Sequence, residues 1–213
     1  MSTSFLFDGP EDARVTLLLA HGAGAPMDSA SMTATARALA ETGLRVARFE
    51  FGYMAARRFG TRKPPPKAEN VMPEFVAAVD DLGPTNGPLI IGGKSMGGRV
   101  ASMVADPLFA AGRIAGLVCL GYPFHPPGKP TQLRTAHLKD LTTPTLIVQG
   151  TRDEFGVPDE VSGYELSKAI ELHWVEDGDH DLKPRKSVTG VGAAEALRLI
   201  ADKVKDWTDR LRS

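Results

Sequence analysis

The 213-residue chain carries a net charge of −1, with 42% hydrophobic and 24% charged residues. That length suits a single domain spanning 1–213, and the charge balance gives no electrostatic case for a nucleic-acid or membrane-surface partner. A single cysteine, Cys119, excludes an internal disulfide, and Cys/His spacing of the zinc type is missing, so neither a metal nor another cofactor is expected. The N-terminal MSTSFLFDGPEDAR lacks a basic segment followed by an apolar run, and the apolar stretches are too short to cross a bilayer; the expectation is a cytoplasmic protein.

Phe5 to Phe7 (FLF) opens the chain as a candidate edge strand. Strand-length apolar runs follow at 15–20 (VTLLLA), 44–51 (LRVARFEF), 89–92 (LIIG), 114–120 (IAGLVCL), 145–149 (TLIVQ) and 171–175 (ELHWV). Several are apolar almost throughout, the pattern of strands buried on both faces of a parallel sheet. Between them the spacing predicts helices over 29–41, 70–82, 96–105, 159–169 and 193–211, with Asp28 or Ser29 able to cap the first and Gly43 to close it. This alternation indicates an α/β fold: a doubly wound, mostly parallel sheet with helices on both faces. The proline- and glycine-rich stretches 53–67 and 122–138 read as loops.

The run at 89–92 leads directly into Gly93-Lys94-Ser95-Met96-Gly97-Gly98, and a helical pattern follows. This is G-x-S-x-G between a strand and a helix, the context that makes Ser95 a candidate nucleophile at the tip of a sharp turn. Small residues two positions to either side leave room for a strained backbone. Two phosphate-binding alternatives fail at a residue their mechanism needs. A P-loop requires glycine where Pro88 stands, and a dinucleotide fingerprint requires its third glycine where Met27 stands.

The run at 15–20 ends in His21-Gly22-Ala23-Gly24-Ala25-Pro26, a turn at the same sheet edge as Ser95. The N–H groups of Ala23 and of Met96, the residue after the candidate nucleophile, are the expected oxyanion donors. Asp153, just past the run at 145–149, is the candidate acid, and His180, on the loop after 171–175, the candidate base. His21 is expected to hold its turn by hydrogen bonds, and His125, His137 and His173 are poorer bases by position. Asp177, Asp179 and Glu154 compete with Asp153 from less favourable places around the strand ends. Glu50 reads as a salt-bridge partner that could reach the site. Ser, Asp and His, in that order and each at a strand end, form the triad order of an α/β-hydrolase.

With HGAGAP, GGKSMGGR, QGTRDEFG and DGDHDLKPRK in place, the chain resembles the α/β-hydrolase superfamily over almost its whole length. The likeness is to a small dienelactone-hydrolase-like branch, which includes bacterial proteins related to animal testis-expressed and NSL chromatin-complex subunits. The resemblance implies the minimal fold without a large cap domain, the Ser95–Asp153–His180 triad and the Ala23 and Met96 donors. Dienelactone hydrolases proper use cysteine at the position of Ser95, which argues against that activity here. Any lid must come from 53–67 or 122–138.

The function expected is a serine hydrolase acting on a small ester or thioester. The alternatives are an acyltransferase using the same triad and a noncatalytic interaction module of the same fold. Arg57, Arg58, Arg62, Lys63 and Lys67, with Lys183, Arg185 and Lys186 after His180, suggest a basic rim that attracts an anionic ester or thioester, carboxylated or phosphate-bearing, the alternative being a solvated basic loop. Gly24, Arg57, Arg58 and Lys183 are the candidate substrate-binding residues. With an unperturbed histidine as base, activity should fall near pH 6–7, to order of magnitude. Nothing in the sequence sets the oligomeric state.

Overall fold

The computed structural model of the chain describes residues 2–61 and 63–211. Arg62, one of the predicted rim residues, lies outside the described residues. The seven strands are β1 (Phe5–Asp8), β2 (Thr16–Ala20), β3 (Arg45–Phe49), β4 (Leu89–Lys94), β5 (Gly116–Leu120), β6 (Thr145–Gly150) and β7 (Ile170–Val175). They form one sheet in the order β1-β3-β2-β4-β5-β6-β7. Only β1 runs antiparallel, pairing Phe5 with Phe49 at the edge. The other neighbours are parallel, with Ala20 beside Gly93, Lys94 beside Leu120 and Gly150 beside Val175. The carboxyl ends of the central strands therefore finish at one edge, and the turns that follow them share it.

Alternate residues of each central strand feed opposite faces, as the period of a strand requires. Leu18, Ile91, Cys119 and Ile147 pack on one face with Phe75 and Ala78 of α3 (Met72–Leu82) and Val100, Ala101 and Val104 of α4 (Met96–Ala110). Leu17, Leu19, Ile90, Val118 and Leu146 pack on the other with Met32, Ala36 and Leu39 of α1 (Ala30–Glu41) and Ile200, Val204 and Trp207 of α7 (Ala193–Arg210). Both layers bury apolar side chains, so the central strands need no polar face. The fold is the expected doubly wound, mostly parallel sheet, and no inserted cap interrupts the alternation among the described residues.

Three helical expectations and one loop expectation need correction. The 159–169 helix is only α5 (Pro158–Val161), because Ser162, Gly163 and the turn to Tyr164 end it after one turn. The 53–67 stretch is not wholly irregular. It contains α2 (Gly52–Ala55) and a 3-10 turn (Ala56–Phe59) closed by Gly60 at φ 83°, a left-handed position that glycine adopts without strain. The 70–82 helix begins with a 3-10 turn (Ala68–Val71) before α3. The 96–105 helix continues to Ala110 past Pro107, because Leu108 beyond it is buried in the core. The 122–138 stretch is irregular apart from a 3-10 turn (Ala136–Leu138), and a short α6 (Lys186–Thr189) precedes α7. No helix among the described residues is long and apolar enough to cross a membrane.

Candidate active site

Ser95 sits between β4 and α4 at φ 51°, ψ −117°, outside the basins a side-chain-bearing residue normally occupies. Its neighbours make that conformation possible. A Cβ on Gly97 would lie 2.5 Å from the His21 carbonyl oxygen and 2.7 Å from that of Ala20. A Cβ on Gly93 would lie 2.4 Å from the Gly97 carbonyl carbon. These glycines let the turn close on itself and against the end of β2, and Arg99 N–H donating to Ser95 O at 3.0 Å starts the helix beyond it. Strain at one residue is thus over-determined by packing at four others.

The loop after β7 brings His180 to the same point. Its Nε2 lies 2.8 Å from Ser95 Oγ, and its Nδ1 lies 2.8 and 3.0 Å from the two Asp153 carboxylate oxygens. One tautomer satisfies both contacts: Nδ1–H donates to Asp153, and the Nε2 lone pair accepts the Ser95 hydroxyl proton. Asp153 is fully buried. Its Oδ1 also accepts from Phe155 N–H at 2.9 Å and its Oδ2 from Gln149 Nε2 at 2.8 Å. The Phe155 ring stacks on the imidazole with centroids 4.1 Å apart.

The His180 loop is itself held. Lys94, the residue before Ser95, donates from Nζ to His180 O at 2.9 Å and pairs with Asp181 at 2.8 Å. Burial alone would raise the Asp181 pKa, but its bonds to Lys94 and Lys183 hold it at about 2. Asp177 is buried at φ 53° and takes the Arg185 N–H at 2.8 Å together with the Arg185 and Arg152 guanidinium groups. The Arg185 bonds keep the Asp177 carboxyl well below the usual carboxylate range. Asp179 Oδ1 accepts the Asp181 and Lys183 N–H groups and closes the turn.

The 21–24 turn lies against the Ser95 turn, and a Cβ on Gly22 would stand 3.6 Å from Ser95 Cβ. Burial pushes the His21 pKa down, favouring the neutral ring. Its Nδ1–H donates to Gly22 O at 2.6 Å and its Nε2 accepts Phe51 N–H at 3.2 Å. Tyr53 O–H donates to Ala23 O at 3.0 Å. Ala23 and Met96 border the same cavity as Ser95, and the N–H of neither has an acceptor among the described residues.

That cavity has a volume of about 470 Å³ and is bordered by Ser95, Met96, Ala23, Pro123 and Phe155, and by Lys67, Glu69, Arg99 and Arg134. Four predicted substrate-binding residues are not among its walls. Arg58 turns away to Glu50 (2.7 and 2.8 Å) and Asp28 (2.9 Å), which also accounts for Glu50. Arg57 lies over the Tyr53 ring, 5.7 Å from its centroid. Lys183 pairs with Asp181 and borders a separate, mostly apolar cavity of about 390 Å³ between α1 and α7. Gly24 has nothing within 4 Å of its Cβ direction. The sequence reading missed Gln149, Arg99 and Arg134. Gln149 had a signal, as a polar amide at the end of a largely apolar strand run; the two arginines had none.

His125 meets Glu160 at 3.1 Å and His137 meets Ser102 at 2.8 Å, while His173 stands within β7 beside Val148. Among the competing acids, Glu154 is exposed, and Asp177 and Asp179 serve the loop. No group of three or more His, Cys, Asp or Glu side chains among the described residues is arranged to hold a metal ion.

Residues 13–209 match the model of the alpha/beta hydrolase domain family. The fold is similar to that of an α/β serine hydrolase without a lid from Xanthomonas campestris, at 21% identity and TM-score 0.70 over 98% of this chain and 88% of that one. It is similar to a dienelactone hydrolase from Anabaena variabilis, at 19% identity and TM-score 0.71 over 98% and 91%. Est1E from Butyrivibrio proteoclasticus, in a structure with ferulic acid bound, is 16% identical at TM-score 0.72 over 98% and 95%. At these identities the structures share a fold with this chain, while the family match spans nearly its whole length. The chain belongs to the α/β-hydrolase family.

Proposed function

We infer that the protein is a serine hydrolase cleaving a small ester or thioester, with Ser95 as nucleophile, His180 as general base and Asp153 as the acid that orients it. The observation that carries this reading is the continuous path from Ser95 Oγ through His180 to the buried Asp153, with hydrogen-bond distances of 2.8 Å at both imidazole nitrogens. Ser95 Oγ attacks the carbonyl carbon as its proton passes to His180 Nε2. Asp153 stabilises the imidazolium, and the unpartnered Ala23 and Met96 N–H groups take the oxyanion. Such a donor typically contributes about 3–4 kcal/mol to the transition state. Collapse of the tetrahedral intermediate breaks the bond to the alcohol or thiol, which leaves with the proton from His180. Water, deprotonated by His180, then attacks the acyl-serine; collapse breaks the bond to Ser95 Oγ, which takes the proton back from His180 as the carboxylic acid leaves.

The test is hydrolysis of p-nitrophenyl esters from acetate to octanoate by wild type and Ser95→Ala, with fluorophosphonate labelling alongside. Hydrolysis and labelling should both be lost in the variant. Wild-type protein that neither turns over any chain length nor labels at Ser95 overturns the reading.

A further inference from the structure

We propose that the cavity beside Ser95 selects esters carrying a carboxylate, held by Arg134 with help from Arg99. This rests on the serine-hydrolase reading and names its substrate class. Of the predicted rim, Lys67 borders this cavity, while Arg57, Arg58 and Lys183 are directed elsewhere.

Arg134 and Arg99 border one cavity with Ser95. Arg99 is on α4, four residues past Ser95, so its backbone stands about 6 Å further along the helix, roughly one turn. Arg134 is fixed by the chain around it. Its N–H donates to Phe124 O at 2.7 Å, and its carbonyl accepts Tyr122 O–H at 2.9 Å.

The charges in this cavity are not balanced. Glu69 pairs with Arg99 at 2.6 Å, but no carboxylate pairs with Arg134 among the described residues. Arg99 Nε is buried without a hydrogen-bond partner. Burial first, and then the Arg99 charge, push the Arg134 pKa down, so its guanidinium is held where its charge is poorly compensated. A half-buried guanidinium that shares a cavity with another cation is costly unless an anion joins them. Lys67, exposed at the same cavity, adds a third positive charge.

A carboxylate is the matching group. It is planar and can take two parallel N–H bonds from a guanidinium fork, and one negative charge answers the one unpaired arginine. Pro123 and Phe155 supply apolar wall for a few methylenes between that carboxylate and the ester. Selection then comes from the anion at one place and the carbonyl at another, with Ser95 and the Ala23 and Met96 N–H groups at the second.

Two pairs of esters test this. Monoethyl adipate is compared with ethyl hexanoate, and the acetate ester of 4-hydroxybutyrate with butyl acetate, so that the carboxylate lies on the acyl side in one pair and the alcohol side in the other. The readout is the anionic-to-neutral ratio of kcat/KM, after subtracting the Ser95→Ala rate, in wild type, Arg134→Met, Arg134→Lys and Arg99→Met. Fluorophosphonate labelling of Ser95 counts the assembled sites in each. The wild-type ratio should exceed about tenfold in at least one pair, and Arg134→Met should lower it by about ten- to a hundredfold, the usual worth of a charge-assisted contact. Arg134→Lys should keep part of it, and Arg99→Met should lower it too. Wild-type ratios near one in both pairs, with Ser95-dependent hydrolysis of the neutral esters, overturn this proposal and leave the hydrolase reading standing. So does a preference that both Met variants retain. Absence of Ser95-dependent turnover of all four esters, together with no labelling of Ser95, removes the hydrolase reading and this one with it.

Discussion

Asp153→Asn is the most demanding test of the proposed chemistry, because it changes almost no volume. Both Asp153 oxygens accept: Oδ1 from Phe155 N–H and His180 Nδ1, and Oδ2 from Gln149 Nε2 and His180 Nδ1. An asparagine has one acceptor end and one donor end. Whichever way it sits, its NH₂ faces either the Phe155 N–H or the Gln149 NH₂, donor against donor. It can also donate to His180 Nδ1, which moves the imidazole proton to Nε2 and leaves Ser95 without a base. In a serine-protease triad the same exchange lowers kcat by about 10⁴, or ~5.4 kcal/mol of transition-state stabilisation at 1.36 kcal/mol per decade. The mispaired buried donor adds a stability cost of about 1–3 kcal/mol, and each kcal/mol lowers Tm by about 2–4 °C in a domain of this size. The assay is steady-state hydrolysis of the best p-nitrophenyl ester, with Tm from differential scanning fluorimetry. KM should change little, because Asp153 does not border the cavity. A variant keeping more than about a tenth of wild-type kcat refutes the assignment of Asp153 as the orienting acid.

Two further outcomes are expected. Gly97→Ala forces a methyl within 2.5 Å of backbone oxygen, so it should lower Tm by several degrees and slow fluorophosphonate labelling; a variant that labels at the wild-type rate removes the close-packing explanation of the elbow. Asp177, whose folded-state pKa is depressed by Arg185, stabilises the protein fully above its unfolded value of about 4 and loses that effect as pH falls through the depressed value. The Tm gap between wild type and Asp177→Asn should therefore be constant from pH 8 to pH 6 and narrow below about pH 4; a gap that widens in acid contradicts the assignment.

What was legible in the sequence follows from what each feature depends on. The sheet could be read because runs such as TLLLA and GLVCL are buried on both faces, so composition alone marks them. The Ser95, Asp153 and His180 positions could be read because each lies just past a strand end, where chain order and edge geometry agree. The 159–169 helix was misread because Val161 and Tyr164 stand three residues apart, as on one helix face, yet α5 ends after one turn and Tyr164 and Leu166 pack on the core beyond it. The basic stretch 53–67 suggested a rim, but sequence does not show that Asp28 and Glu50 come back to claim Arg58. Arg99 and Arg134 come to one cavity only through the fold, since one stands on α4 and the other in the irregular 122–138 segment.

The position of Ser95 at the middle of the sheet has a consequence for how the molecule matures. The turn at Ala23 reaches it from β2 on one side, while Asp153 and His180 reach it from beyond β6 and β7 on the other. Neither flank alone can arm the serine. A chain folded only through β4 would hold a hydroxyl with no base, and the last piece of the site in chain order, the loop from Asp177 to Arg185, is locked in place by its own ion pairs and by Lys94. On the proposed mechanism the serine gains its base only once both flanks of the sheet are in place, so that a chain stopped before the loop after β7 is not a stray esterase.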